Sequence, residues 1–293
     1  MKDAAKLFAY FAAVVLGGAI LAPPLFWTAQ TAAAHGIATF LMRFDFESFF
    51  HRALLICALL FLWPLLRSLQ IRSLADLRLR RNTHAPRDAG IGWIIAATPL
   101  AYTAIALVHH GAFVLKNAIP WTAVGGVAAA SIAVPFIEET LFRGLVLGIL
   151  LRAMRPLFAG FITSVFFAII HFLKAPDQTS RLVTWSSGFR SIAHSFSQFG
   201  DPLLVLAGFA TLLVVGAILA DARLRTSSLW LPIGLHSGWV FVSGIFGKLT
   251  RQTTIMLPLL GKNLLVGVIP LALGLITWGI VALLFFNADR KSS

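Results

Sequence analysis

The stretch Phe136-Ile-Glu-Glu-Thr-Leu-Phe-Arg-Gly144 decides how the rest of the chain is interpreted. It places two adjacent carboxylates, Glu138 and Glu139, and one arginine, Arg143, between two apolar runs. The chain has only 11 acidic residues among 293, so two neighbours at this place are not ordinary surface residues. Ionisable groups inside membrane segments are expensive and usually face a bundle interior or a watery cavity. The stretch therefore indicates a functional site.

The composition indicates an integral membrane protein. Hydrophobic residues make up 58% of the chain, charged residues 12%, and the mean hydropathy is +0.86. A soluble domain is about half apolar and about a quarter charged. The net charge of +13 comes from basic residues that lie between apolar runs, which favours topology control and contact with anionic lipid over nucleic-acid binding. A single cysteine, Cys57, excludes an intrachain disulfide and any multi-cysteine metal site.

Eight apolar windows approach the length needed to cross a bilayer, which is about 20 residues. They are predicted at residues 7–26, 53–69, 91–108, 122–137, 157–172, 203–220, 229–246 and 264–286. The sequence thus predicts an all-α fold, a polytopic transmembrane helical bundle of about eight spans. Pro135 is expected to end the fourth span, and a second helix is expected to carry Glu138 to Leu151. With the N-terminus inside, most basic residues fall on the inner side, in agreement with the positive-inside rule.

The spacing within the acidic stretch predicts one ion pair. Glu139 and Arg143 are four residues apart and share a helix face, whereas Glu138 is turned away by about 100°. Glu138 has no basic partner at helical spacing. Two interpretations stay open here: Glu138 acts as a general base beside a structural Glu139–Arg143 pair, or both glutamates hold a buried charge network together.

Two histidines in later spans complete the candidate site. His171 follows Phe167 by four residues, so that both lie on one face, and His236 is flanked by Gly234 and Gly238, which allow close helix approach. Each histidine alone is more typical of a packed core residue. Together with Glu138 they are the groups in the apolar segments that exchange protons near neutral pH. Water held by Glu138 and His171 could attack an amide carbonyl, and His236 could donate a hydrogen bond to the oxyanion.

These three motifs, in this order, resemble the CPBP family of intramembrane proteases. The pattern is Glu138-Glu139-xxx-Arg143, then Phe167-xxx-His171, then His236. The family includes the CAAX prenyl proteases and the bacteriocin-processing and immunity (Abi-type) proteins, and it is described as glutamate-type. The resemblance implies that Glu138 and His171 activate the water and that His236 helps to stabilise the oxyanion. It also implies supporting roles for Glu139, Arg143 and Phe167.

One position departs from the family pattern. Four residues after the last histidine the family usually has asparagine or another polar residue, whereas this chain has Val240. A second oxyanion donor is therefore missing or supplied elsewhere, with Ser237 and Ser243 as candidates.

A metal mechanism is the less favoured alternative. No His-Glu-x-x-His motif is present, and catalytic zinc usually takes three protein ligands. Glu138, His171 and His236 could supply three, but the sequence would then offer no separate base apart from Glu139. We therefore expect no cofactor, with zinc as the alternative.

The predicted organisation has three parts. Residues 1–121 hold the first three spans and a basic cytoplasmic segment at 67–87, residues 122–247 form the CPBP-like catalytic core, and residues 248–293 hold a loop and the last span. The polar connection at 174–201 is either a lid or an ordinary outer loop. The arginine-rich short loops favour a multi-pass protein of a bacterial inner membrane.

The predicted function is intramembrane peptide hydrolysis. Its partners would be membrane lipid and a membrane-associated peptide or protein substrate, with C-terminal sorting or prenylated segments as candidates. Two alternatives remain: a non-catalytic immunity or scaffold protein, and a proton-coupled transporter.

Overall fold

The computed structural model describes residues 2–79, 83–172, 182–195, 202–254, 256, 258–261 and 264–285. Its α-helices are α1 (Lys2–Ala34), α2 (Phe46–Ser68), α3 (Ala85–His109), α4 (Trp121–Glu139), α5 (Leu147–Leu150), α6 (Pro156–Phe172), α7 (Ser187–Ser195), α8 (Pro202–Thr226), α9 (Trp230–Leu249) and α10 (Val268–Leu284). A short 3-10 helix covers Thr39–Arg43, and a π-helical segment covers Thr140–Val146. Two short strands, β1 (Phe113–Leu115) and β2 (Thr250–Gln252), pair antiparallel with Phe113 opposite Gln252.

The predicted all-α membrane bundle is confirmed, and each predicted span overlaps a helix: α1, α2, α3, α4, α6, α8, α9 and α10. The number of helices that cross the membrane stays a prediction. Within the described residues, 4 helices are long and apolar enough to cross a membrane: Lys2–Ala34, Phe46–Ser68, Ala85–His109 and Val205–Thr226. Pro156–His171 and Val268–Leu284 are shorter apolar helices. Helices suit this role because hydrocarbon offers backbone N–H and C=O groups no water to bond. The end of the last predicted span, Phe286, lies outside the described residues.

The fourth span does not end at Pro135, so that prediction is wrong. α4 continues through Pro135 to Glu139 and passes directly into the π-helical segment and α5. Proline removes one backbone donor and crowds the carbonyl four residues back. Membrane helices tolerate this because neighbouring helices and side chains satisfy the groups that are left over. The irregularity lies instead at Thr140–Val146, and π turns of this kind occur frequently at functional sites.

The chain forms two compact units, of which the first comprises Met1–Arg72 and Ile170–Asp201. Its core lies between α1 and α2, where Ala19 and Phe50 are buried. α7 packs against α1, with Gly188 directly on the α1 backbone at Ala19. The predicted polar connection thus contains a short helix, while its residues 174–181 and 196–201 lie outside the described part. Its role as a lid or an ordinary loop stays open.

The second unit comprises Ser73–Ile169 and Pro202–Ser293, and its core joins α3, α8, α9 and α10. α3 and α9 pack most closely. A Cβ added to Gly238 would lie 2.6 Å from the carbonyl oxygen of Trp93, and one added to Gly234 would collide with the backbone of Ala89. The close helix approach predicted around His236 is therefore confirmed.

The predicted basic segment at 67–87 is mostly the connection between α2 and α3. α2 ends at Ser68 and α3 begins at Ala85, with Arg80 and Arg81 outside the described residues. Leu77 and Leu79 are buried in the second unit. These leucines anchor the chain between the two helices, and the contact of its arginines with lipid stays a prediction.

Candidate active site

The acidic stretch contributes two carboxylates with different surroundings. Glu139 and Arg143 are both fully buried, whereas the side chain of Glu138 keeps 26% of its exposure. Arg143 Nη1 donates to Glu139 Oε1 over 2.9 Å, so the ion pair predicted from the four-residue spacing is confirmed. Burial strengthens the attraction between the charges, but it also makes each of them costly without the other.

Three elements of the second unit hold Arg143. Besides its bond to Glu139, its Nη2 donates to the carbonyl oxygen of Gly216 in α8 over 3.2 Å. Its guanidinium carbon lies 4.4 Å from the ring centroid of Phe167 in α6, a cation–π contact. At Gly216, α8 can lie close to α6 because glycine has no side chain. A Cβ at this position would lie 2.9 Å from the Cβ of Ser164. The buried charge is thus compensated by an anion, a carbonyl dipole and an aromatic face.

His236 lies between the two glutamates. Its Nδ1 is 2.8 Å from Glu139 Oε1, and its Nε2 is 3.8 Å from Glu138 Oε2. Glu139 Oε1 also accepts from Arg143, so Nδ1 is assigned as the donor in the first contact. The second distance is longer than a hydrogen bond. Glu139 therefore fixes the orientation of His236 and turns Nε2 toward Glu138.

Phe167 connects the arginine to the histidine through its ring. The ring meets His236 edge to face with centroids 6.0 Å apart, and it meets Phe142 in the same way at 5.2 Å. Such edge-to-face contacts are the favoured geometry for aromatic groups. The supporting position predicted for Phe167 therefore has a physical basis in these packing contacts.

His171 lies in the last turn of α6, four residues after Phe167, and its side chain is half-buried. Helical spacing turns it to the same side as Phe167. The boundary between the two units falls in this helix, after Ile169, so His171 belongs to the first unit. Its action beside Glu138 stays a prediction.

The position of a second oxyanion donor is occupied by an apolar side chain. Val240 lies one turn after His236 in α9. Ser237 Oγ donates to the carbonyl oxygen of Ser131, and Ser243 Oγ donates to that of Trp239 over 2.7 Å. Both hydroxyl protons are used in main-chain bonds. In this conformation neither serine supplies the second donor that the sequence left open.

Two features of the site were not predicted. One is the bond from Arg143 to the main-chain carbonyl of Gly216, which no side chain in the sequence indicates. The only hint is a glycine among the large apolar residues of α8, which suggests close packing. The other is that Glu139 orients His236. Within the described part of the chain, no group of three His, Cys, Asp or Glu side chains is arranged as a metal site, and the use or absence of a metal stays a prediction.

Fold and site together define an integral membrane helical bundle with a buried carboxylate–histidine centre. A family model described as type II CAAX prenyl endopeptidase Rce1-like matches residues 120–242. The match covers less than half of the chain; over that segment the chain is similar to this family, which confirms the predicted resemblance to CPBP proteases. The match includes every residue of the candidate site. No curated protein and no solved structure matches the chain.

Proposed function

We propose that this protein is an intramembrane endopeptidase that hydrolyses a peptide bond with water activated by Glu138 and His171. The observation that carries the proposal is the position of His236 between two carboxylates. One of these carboxylates is fully buried and tied to Arg143, and the other is partly exposed. The whole arrangement lies in the segment that matches an endopeptidase family.

The two glutamates differ in what they can do chemically. Glu139 Oε1 accepts from both Arg143 and His236 and is sealed from solvent, so it is a positioning group. Glu138 keeps part of its side chain exposed, and its buried Oε2 faces His236, so it is the carboxylate proposed to meet the water. It takes a proton from the water while the water oxygen attacks the carbonyl carbon of the substrate. The same proton then passes to the departing amine as the C–N bond breaks, in the usual general-base and general-acid sequence.

His236 acts as an oxyanion donor only in its doubly protonated form. Its Nδ1 proton is committed to Glu139, so the bond to the oxyanion has to come from Nε2–H. The resulting imidazolium balances the local charges, with Glu138 and Glu139 negative and Arg143 and His236 positive. A neutral cluster is the least costly arrangement of charges in apolar surroundings. The 3.8 Å separation from Glu138 leaves the Nε2 proton available for the substrate.

The substrates proposed are membrane-associated peptides or proteins cleaved near the bilayer, with C-terminal sorting or prenylated segments as the first candidates. The description of the matched family as CAAX prenyl endopeptidases supports the second of these. The protein would work as a multi-pass component of a bacterial inner membrane, in contact with its lipids. No cofactor is proposed.

The test is cleavage of a peptide library with hydrophobic C-terminal segments, with and without a prenyl group. Purified wild type is compared with Glu138→Gln and His171→Ala, and with the matched control Asp76→Asn, which removes an exposed carboxylate that caps Ser73. We expect a rate loss of at least about 100-fold in the first two variants and none in the control. Thermal unfolding of each variant shows whether the fold is kept.

A chelator arm separates the two uses of the same residues. Activity that survives chelation supports a glutamate-activated water, whereas activity lost with chelator and restored by zinc makes these residues ligands. Cleavage that persists in Glu138→Gln would contradict the mechanism. Folded wild type that cleaves nothing would favour a non-catalytic immunity or scaffold protein, for which the valine at position 240 is the supporting observation.

A further inference from the structure

A buried arginine at the end of α8 has no anionic partner among the residues that the structure describes. Arg223 is only 6% exposed, and its Nε has no hydrogen-bond partner within the described residues. No ion pair to Arg223 is formed in that part of the chain. Burying a cation without a counter-charge is strongly unfavourable. An anion from outside the described residues would compensate this charge.

A second arginine is held beside the first. Arg78 lies against the connection that follows α8, on the side of Arg223, and both belong to the second unit. The backbone carbonyl of Arg78 accepts from Leu229 N over 3.2 Å, and the flanking Leu77 and Leu79 are buried. Arg78 also adopts a left-handed conformation with φ of 61°, which non-glycine residues keep only where their surroundings impose it. Its position at the α8–α9 connection is therefore built into the fold.

The next arginine of α8 shows what compensation looks like. Arg225 Nε donates to Asp221 Oδ2 over 2.7 Å, and the same oxygen accepts from Trp278 Nε1 over 2.9 Å. Arg225 is thus neutralised within the protein, although it is more exposed than Arg223. Arginines at this end of α8 can therefore pair with a carboxylate, and Arg223 differs from Arg225 in having no such pair among the described residues.

We propose that Arg78 and Arg223 form an anion site that takes the phosphate group of an anionic phospholipid. Two guanidinium groups present planar sets of N–H donors that match phosphate oxygens. α8 is a candidate span that ends at Thr226, so Arg223 lies within one turn of the end of a membrane-crossing helix, at the level of the headgroups. Basic residues there predict the inner leaflet, where anionic lipids concentrate. The site is separate from the glutamate–histidine centre and does not depend on proteolysis.

The test measures lipid binding to the purified full-length protein in detergent. Native mass spectrometry gives the apparent Kd for phosphatidylglycerol and, with the same acyl chains, for phosphatidylcholine, and thermal unfolding is followed in parallel. The variants are Arg223→Gln, Arg78→Gln and the control Arg155→Gln, which removes one exposed charge from the α5–α6 connection. We expect Arg223→Gln to weaken phosphatidylglycerol binding at least about tenfold more than the control does, as for one lost charge-assisted hydrogen bond.

A further arm adds inorganic phosphate instead of lipid. In one outcome, millimolar phosphate stabilises wild type but not Arg223→Gln, while wild type shows no preference for phosphatidylglycerol. That result would assign the site to a free phosphate ion and overturn the lipid proposal. Equal lipid binding by Arg223→Gln and Arg155→Gln would overturn it as well. If Arg223→Gln does not fold, lipid binding by Arg78→Gln is compared with that of the control instead, because Arg78 is exposed and its replacement should leave the fold intact. Loss of lipid preference in that variant supports the site, and unchanged preference refutes it.

Discussion

Replacement of Arg143 by methionine should lower the free energy of unfolding by about 3–5 kcal/mol, because it leaves Glu139 buried without its cation. The two charged groups are 2.9 Å apart and have no exposed side-chain surface. The variant also loses the bond to the Gly216 carbonyl and the contact with the Phe167 ring. Methionine fills a similar volume, so the loss measures charge compensation more than packing.

A matched control is available in the same unit. Arg225 and Asp221 form an ion pair at the same four-residue spacing, but their side chains are 24% and 23% exposed. Exposed pairs contribute about 0–1 kcal/mol, so Arg225→Met should cost far less than Arg143→Met. The comparison isolates the effect of burial.

The assay is a double-mutant cycle in mixed micelles, with denaturant unfolding followed by tryptophan fluorescence. Glu139→Gln and Arg143→Met are measured singly and together. Because the double variant removes both buried charges, it should be more stable than the sum of the single losses by about 2 kcal/mol or more. Additive losses, or a cost for Arg143→Met no larger than that of the control, would refute the electrostatic argument.

Three further outcomes follow from the site and its helices. Gly234→Ala should destabilise the protein by about 1–3 kcal/mol in the same unfolding assay because its Cβ meets the α3 backbone, whereas Gly247→Ala in the same helix meets nothing and should be neutral or stabilising. Glu139→Gln should lower kcat by about 100-fold with little change in KM, because it weakens the hydrogen bond that orients His236 for the transition state. A change in KM alone would contradict this. Val240→Asn should raise kcat by about tenfold or more by adding a donor one turn after His236, and an unchanged kcat would show that the second donor is not limiting.

The fold was largely predictable because the bilayer demands long apolar helices, and these leave a clear pattern in the sequence. The Glu139–Arg143 pair and the close helix approach at Gly234 and Gly238 were predictable for a related reason. Both depend on residue type and helical spacing alone.

What could not be predicted depends on neighbours in space. The sequence shows Pro135 but not the surroundings that let α4 pass through it. Likewise, a backbone carbonyl such as that of Gly216 accepts a hydrogen bond regardless of its side chain, so no residue type announces it. The contact between Glu139 and His236 joins positions 97 residues apart, which spacing rules do not reach.

The π-helical segment at Thr140–Val146 constrains how the length of this chain can vary. A bulge of this kind adds about one residue to a helix, and one residue corresponds to about 100° of rotation. Leu147 to Leu150 are therefore rotated by about that angle relative to a regular continuation of α4. A one-residue deletion between Thr140 and Val146 would give a more regular helix. It would also rotate α5, so that a different face of α5 would meet the neighbouring helices. Homologous chains should accordingly gain and lose residues in their connections but keep the same count between the glutamates and α5.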